Sequence, residues 1–185
     1  MGGIAVLSNP RSGVNKRNPA LVQKLAYMLG DKGELRQPPD LDHLEETVRE
    51  LKARDVDVVC VNGGDGTLHK VLSALVRVYS EGATGEALRQ VRLPRIAILR
   101  SGTLNTMSRN IGLKTQPAEM LGRVVSAHHG RPPLRTVAPR LLAVHAARHR
   151  QLGSLALAPG ARVERLAKLV DGEASIIGRL VSRAL

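Results

Sequence analysis

Apolar and polar positions divide the first 128 residues into two kinds of segment. Continuous runs of apolar and β-branched residues predict buried strands at 4–7, 58–61 and 94–99, and a weaker strand is predicted at 34–37. Apolar residues at helical spacing predict helices at 20–29, 41–51, 68–79, 107–111 and 117–125. Strands that alternate with helices predict an α/β fold, a three-layer α/β/α arrangement around a parallel sheet.

Two predicted helices carry clear end signals. Gly30 closes the first predicted helix as a C-cap, and Asp40 precedes the second as an N-cap. In the second helix the apolar face is predicted to consist of Leu41, Leu44, Val48 and Leu51.

Three of the predicted strands end in polar or glycine-containing loops. The first loop, residues 8–13, contains Asn9 and Ser12, and the third loop, residues 100–105, contains Gly102 and Thr103. The second loop, residues 62–67, reads Asn-Gly-Gly-Asp-Gly-Thr. Ligands of parallel α/β sheets bind beyond the carboxyl ends of the strands, so these three loops are expected to meet at one edge.

The second loop has the chemistry of a phosphate site. Glycine lets the backbone approach an anion closely, and the first N–H groups of the following helix are unpaired donors. Thr67 adds a hydroxyl, whereas Asp65 is either an oxygen ligand for Mg²⁺ or the N-cap of a structural turn. The loop has no Gly-Lys-Ser/Thr ending and lacks the spacing of a dinucleotide fingerprint, which excludes both of those phosphate motifs.

Composition narrows the range of partners. The 185 residues carry a net charge of +12, with a sequence pI near 11.0, and the basic excess is larger after residue 122 than before it. This charge favours anionic partners, including an anionic membrane surface, although arginine used as a general solubilising residue explains it as well. With two Tyr, no Trp and no Phe, the chain lacks aromatic platforms for nucleic-acid bases, so no nucleic-acid partner is expected.

The single cysteine and the hydropathy pattern bear on the location of the protein. Cys60 lies inside an apolar run and is predicted to be a small buried hydrophobic residue. No apolar stretch has the length of a membrane span, and the N-terminus lacks the pattern of a signal peptide. A cytoplasmic location is expected, with peripheral contact at the inner membrane surface as a further expectation.

The motifs resemble those of a known kinase family. The segment 62–67 resembles the GGDGT signature shared by diacylglycerol kinases, sphingosine kinases, NAD kinases and 6-phosphofructokinases. Residues 9–13, Asn-Pro-Arg-Ser-Gly, resemble the lipid-kinase N-P-x-S-G loop, and 94–105 resembles the lipid-kinase stretch ending in G-T-x-N, which NAD kinases do not share. Over residues 3–127 the chain is therefore similar to the catalytic domain of diacylglycerol kinases.

This resemblance implies an ATP site, with Mg²⁺ as the accompanying metal, and phosphate transfer from ATP to the hydroxyl of a diacylglycerol-like lipid. Catalysis of such a transfer consists mainly of positioning and charge neutralisation. Asp65 is implied as the catalytic residue. The implied nucleotide-binding residues are Asn9, Ser12, Gly63, Gly64, Asp65, Gly66, Thr67, Gly102 and Thr103.

The C-terminal part departs from the family. A nucleotide-binding domain is predicted at 1–128, followed by a truncated region at 129–185 with short strands and then helices, too short for the β-sandwich that the family adds. Asp171-Gly172-Glu173 resembles the family's general-base triplet but is better explained as a turn between helices. His69 stands where many relatives have Asn, and the Thr expected near Gln37 is absent.

These departures leave more than one function open. The first hypothesis is an ATP-dependent lipid kinase that is truncated or needs a partner for its acceptor site. The alternative is a catalytically incomplete nucleotide-binding protein that acts by binding a membrane or a partner. A soluble-substrate kinase of the NAD-kinase type is disfavoured by the third loop, and nucleic-acid binding rests on net charge alone.

Overall fold

A computed structural model describes residues 3–84, 86–128 and 130, together with two later strands. The strands are β1 (Ile4–Ser8), β2 (Gly33–Arg36), β3 (Val58–Asn62), β4 (Arg95–Ile98), β5 (Leu142–His145) and β6 (Leu152–Ala156). The helices are α1 (Gly13–Arg17), α2 (Pro19–Leu29), α3 (Leu41–Ala53), α4 (Asp65–Tyr79), α5 (Glu86–Gln90), α6 (Thr106–Asn110) and α7 (Pro117–His128). A 3₁₀ turn, Gly30–Lys32, links α2 to β2.

The first four strands form one parallel sheet in the order β2-β1-β3-β4. In the central pair, Ile4 aligns with Val58 and Ser8 aligns with Asn62. β5 and β6 form a separate antiparallel pair within the stretch for which the sequence predicts short strands. The predicted boundary at residue 128 stays a prediction, and the helices predicted after residue 160 lie outside the described residues.

Both faces of the parallel sheet are covered, as expected for strands that are apolar on both sides. Alternate residues of β1 and β3 point to opposite faces, and all of them are at most 3% exposed. Ala5, Leu7, Val59 and Val61 lie on the face that packs against α3 and α4, whose core residues include Val48 and Leu75. Ile4, Val6, Val58 and Cys60 lie on the opposite face, with Leu25 of α2 and Leu121 of α7. The predicted three-layer fold is confirmed.

The connections place a crevice between β1 and β3. The chain leaves β1 through α2 on one face of the sheet, whereas it leaves β3 through α4 on the other face. Neighbouring parallel strands whose connections diverge in this way leave an opening at their carboxyl ends, where α/β proteins bind ligands. Among the helices that the structure describes, none has the length and apolar character required to cross a bilayer.

Local details differ from the sequence predictions at three places. The short helices α1 and α5 were not predicted, and Leu41 is 38% exposed although it was assigned to the apolar face of α3. Leu41 is the first residue of that helix, before the turn that packs on the sheet. The predicted cap Asp40 is confirmed, because its side chain accepts a hydrogen bond from the His43 N–H at 2.9 Å.

Candidate nucleotide-phosphate site

Backbone hydrogen bonds join the three loops at the carboxyl edge of the sheet. The Asn9 N–H donates to the Asn62 carbonyl at 2.9 Å, linking the first loop to the second. The Ser101 N–H donates to the Gly63 carbonyl at 3.0 Å, and the Val14 N–H donates to the Ser101 carbonyl at 2.9 Å. The predicted convergence of these loops is therefore confirmed.

A network of buried polar side chains holds the loops together. The Asn62 side chain is fully buried, and its amide donates to Ser8 Oγ at 2.9 Å and to Asn15 Oδ1 at 3.3 Å. Its carbonyl oxygen accepts a hydrogen bond from the Ser101 hydroxyl. Asn15 in turn donates to the Asn9 carbonyl at 2.8 Å. The last residue of β3 thus connects the end of β1, helix α1 and the loop after β4, which fixes the relative positions of the loops.

Glycines allow the loops to approach more closely than other residues would. A Cβ on Gly102 would lie 2.3 Å from the Cα of Gly64, so the second and third loops touch through their backbones. A Cβ on Gly13, at the end of the first loop, would lie 2.7 Å from Thr103 Oγ1. The three loops therefore close around a common space that larger residues would fill.

This common space is a cavity of about 290 Å³, just below the size range typical of small-molecule sites. Its lining residues are Asn9, Ser12, Gly13, Gly64, Gly66, Thr67, Lys70, Gly102 and Thr103. The structure thus brings seven of the nine predicted nucleotide-binding residues together around one space. Gly63 and Asp65, the other two, lie next to the cavity in sequence but do not line it.

The polar side chains of the cavity present hydrogen-bond donors. Asn9 Nδ2 donates to Thr67 Oγ1 at 2.9 Å, so the Thr67 hydroxyl proton is free to donate to a ligand. Ser12 is 9% exposed, and its hydroxyl oxygen is buried without a partner among the described residues. Helix α4 begins at Asp65 with Gly64 as its N-cap, so its first N–H groups lie beside the same space. This arrangement suits an anion.

Asp65 has a structural role that neither sequence interpretation anticipated. Its carboxylate oxygens accept hydrogen bonds from the Thr106 N–H at 2.9 Å and the Met107 N–H at 3.1 Å. Asp65 therefore caps α6, a helix that follows the third loop, and not its own helix. The residue that precedes α6, Asn105, has a left-handed backbone and uses its side chain to bond the backbone of Gly102 instead.

The described residues do not form a magnesium site of their own. Mg²⁺ is usually held by one or two carboxylates together with phosphate oxygens. Within the described ranges no carboxylate lines the cavity, and no group of three or more His, Cys, Asp or Glu residues could hold a metal ion. Both oxygens of Asp65 already accept backbone N–H groups. The predicted Mg²⁺ and the catalytic role of Asp65 stay predictions.

Two neighbouring groups have shifted pKa values. Burial, and then the positive charge of Lys70, lowers the pKa of His69, whose Nε2 is buried without a partner among the described residues. Cys60 is fully buried, as predicted, and burial raises the pKa of its thiol to about 12.

A model of the diacylglycerol kinase catalytic domain matches residues 3–133, most of the chain. The chain belongs to this family. The family is one of lipid kinases and therefore implies the use of ATP. Among curated proteins, none gives a significant match.

Solved structures support the fold. A diacylglycerol kinase from Bacillus anthracis str. Sterne aligns with 68% of the chain at 21% identity, with a TM-score of 0.50. A structure from the same organism, provisionally assigned the same activity, aligns with 68% of the chain at 23% identity and a TM-score of 0.50. This chain spans only 40% and 42% of those two proteins.

Two lining residues were missed from sequence. Lys70 follows Thr67 by three residues on α4, a spacing that places both on one side of the helix, so this signal was available. Gly13 ends the first loop, and its approach to Thr103 is visible only in the tertiary structure.

Proposed function

We propose that this chain is the nucleotide-binding part of an ATP-dependent kinase that transfers the γ-phosphate to the hydroxyl of a diacylglycerol-like lipid. The observation that carries the proposal is the donor-rich cavity at the carboxyl edge of the sheet, built from the three lipid-kinase motifs. The cavity size suits the phosphates of ATP, and the rest of the nucleotide would extend out of its mouth.

In the proposed reaction, the lipid hydroxyl oxygen forms a bond to the γ-phosphorus of ATP. The bond from that phosphorus to the oxygen bridging it to the β-phosphate breaks, and ADP leaves. The chain's contribution is to bind and orient the phosphates through the Thr67 and Ser12 hydroxyls and the first N–H groups of α4. The hydroxyl proton requires a base, which the described side chains lining the cavity do not supply. Asp171-Gly172-Glu173 lies outside the described residues.

The alternative is a nucleotide-binding protein that does not complete phosphate transfer. The described lining of the cavity favours it, because that lining contains no carboxylate that could take the proton of the acceptor hydroxyl. In this alternative the chain binds ATP and acts through a membrane or a partner. The two functions differ in one measurable property, lipid-dependent ATP turnover.

The test is ADP release from ATP and Mg²⁺ in the presence and absence of mixed diacylglycerol micelles. The lipid-kinase proposal expects release that depends on the lipid, and ATP binding without such turnover under any lipid tested would favour the alternative. Asp65→Ala is expected to abolish turnover, but it also removes the cap of α6, which costs about 0.5–2 kcal/mol.

A second substitution separates these two roles of Asp65. Asp65→Asn keeps one acceptor oxygen for the α6 cap while removing the negative charge. Asp31→Ala, an exposed acidic residue in the 3₁₀ turn, serves as the matched control. A catalytic role for Asp65 requires that Asp65→Asn be inactive while its unfolding midpoint stays closer to wild type than that of Asp65→Ala.

We also propose peripheral contact with an anionic membrane on the cytoplasmic side. The net charge of +12 supports this contact, since each basic residue near an anionic surface contributes about 1 kcal/mol. Co-sedimentation with vesicles of phosphatidylcholine alone and with added phosphatidylserine is the test. Binding that requires the anionic lipid and falls with salt is the expected result, and equal binding to both vesicles would refute it.

A further inference from the structure

We propose that Lys70 is the charged phosphate ligand of the cavity, which binds a polyphosphate directly and without a metal ion between phosphate and protein. The inference rests on the proposed nucleotide-binding function for the identity of the ligand. It goes beyond that function by assigning the charge that holds the ligand to a residue outside the three motifs.

The first argument is charge. Lys70 is the one charged residue in the described lining of the cavity. No salt bridge or hydrogen bond engages its ammonium group within the described part of the chain, in contrast to Lys52, which donates to the Val78 carbonyl at 2.8 Å. Lys70 is exposed and lies one helical turn after Thr67, so its ammonium group and the Thr67 hydroxyl can reach the same ligand.

The second argument is an unsatisfied hydroxyl in the same lining, on a different element from Lys70. Ser12 is 9% exposed and lines the cavity, yet its Oγ has no hydrogen-bond partner in the part of the chain that the structure describes. A buried polar group left without a partner is costly, so a ligand with acceptor oxygens would remove that cost. Ser12 comes from the first loop and Lys70 from α4, which means that donors face the cavity from two sides.

The third argument is that the described lining contains no carboxylate. The Asn9 side-chain oxygen already accepts the Arg11 N–H at 2.9 Å, and the carboxylate of Asp65 is directed to the start of α6. Within the described lining, the side chains therefore offer donors and a positive charge but no negatively charged oxygen. Such a site favours a bare anion over a metal ion, because a hard cation needs anionic or carbonyl oxygens.

Calorimetric titration of the full chain with inorganic tripolyphosphate and with ADP, both in EDTA, tests the inference. Lys70→Gln removes the charge at a similar helix propensity, Lys70→Arg keeps the charge, and Lys24→Gln removes an exposed charge on α2 away from the cavity. We expect wild type to bind both probes without metal and Lys70→Gln to bind them about tenfold to a hundredfold more weakly. Lys70→Arg and Lys24→Gln are expected to remain within about threefold of wild type.

Two results of these titrations would contradict the role of Lys70. Equal binding by folded Lys70→Gln and wild type would overturn the inference, and so would an absence of binding by wild type in EDTA. Salt provides a further readout, since loss of a phosphate-contacting charge should flatten the dependence of affinity on ionic strength. Lys70-dependent binding without lipid-dependent turnover would support this inference and would refute the proposal that this chain transfers phosphate to a lipid. The two proposals can therefore fail separately.

Discussion

Replacing Gly102 with alanine tests the contact that shapes the cavity. The added Cβ would lie 2.3 Å from the Cα of Gly64 and 2.8 Å from Oδ1 of Asn105. The first neighbour is the backbone of the N-cap of α4, next to the Ser101 N–H to Gly63 carbonyl bond that holds the two loops together. No side-chain rotation can relieve the clash, so the loops have to separate.

The size of the effect follows from that distance. Ordinary van der Waals contact begins at 3.4 Å, so the 2.3 Å approach requires a backbone displacement of about 1.1 Å. Overpacking of this kind typically costs about 1–3 kcal/mol. For a chain of this length each kcal/mol lowers the melting temperature by about 2–4 °C. ATP binding should weaken as well, because both loops line the cavity.

Urea unfolding and ATP titration of Gly102→Ala measure both effects. Gly66→Ala is the matched control for stability alone, since it lies in the same site but a Cβ there meets nothing within 4 Å. Alanine at this early position of α4 should leave stability unchanged or raise it by up to about 1 kcal/mol. If Gly102→Ala unfolds at the wild-type urea concentration and binds ATP equally well, the contact between the loops is not as described.

Three further predictions concern buried groups. Asn62→Ala leaves Ser8, Ser101 and Asn15 without their shared partner. It should lower the free energy of unfolding, measured by urea titration, by about 1–3 kcal/mol, and an unchanged urea midpoint of unfolding would contradict the network. The folded state lowers the pKa of His69, so it binds fewer protons at this residue than the unfolded state does. Wild type should therefore lose stability relative to His69→Gln as the pH falls through the ordinary pKa of histidine. A difference in melting temperature between the two proteins that is equal at about pH 8 and about pH 5 would argue against this shift. Cys60, with a thiol pKa of about 12, should resist alkylation at neutral pH until the protein is unfolded, and rapid labelling of the native protein would show that the strand opens.

Much of the fold could be predicted from sequence because its signals are local. The buried strands β1 and β3 are continuous apolar runs, and α3 and α4 have clear helical periodicity. The parallel direction of the strands follows from their alternation with helices. By contrast, α1 and α5 are five residues each, too short to show a period, and were missed.

The location of the site could be predicted from sequence, because the site consists of loops that follow strands. Which residues point into the cavity depends on distances between segments far apart in the chain. Asp65 illustrates this, since its hydrogen-bond donors lie 41 and 42 residues later and no local pattern indicates them. Lys70 differs from Asp65 in this respect, because its spacing of three residues from Thr67 on one helix is a local pattern that indicates its position.

The separation of the three loops along the chain has a consequence for the order of folding. The central pairing of β1 with β3 joins residues 54 positions apart, and the third loop follows only after β4 has paired. Pairings of such long range are slow to form, because the entropy of closing the intervening chain is lost before the contacts are gained. During synthesis the cavity cannot exist until Thr103 has left the ribosome. Acquisition of nucleotide affinity should therefore be among the last events of refolding, which makes it a stringent reporter of native structure.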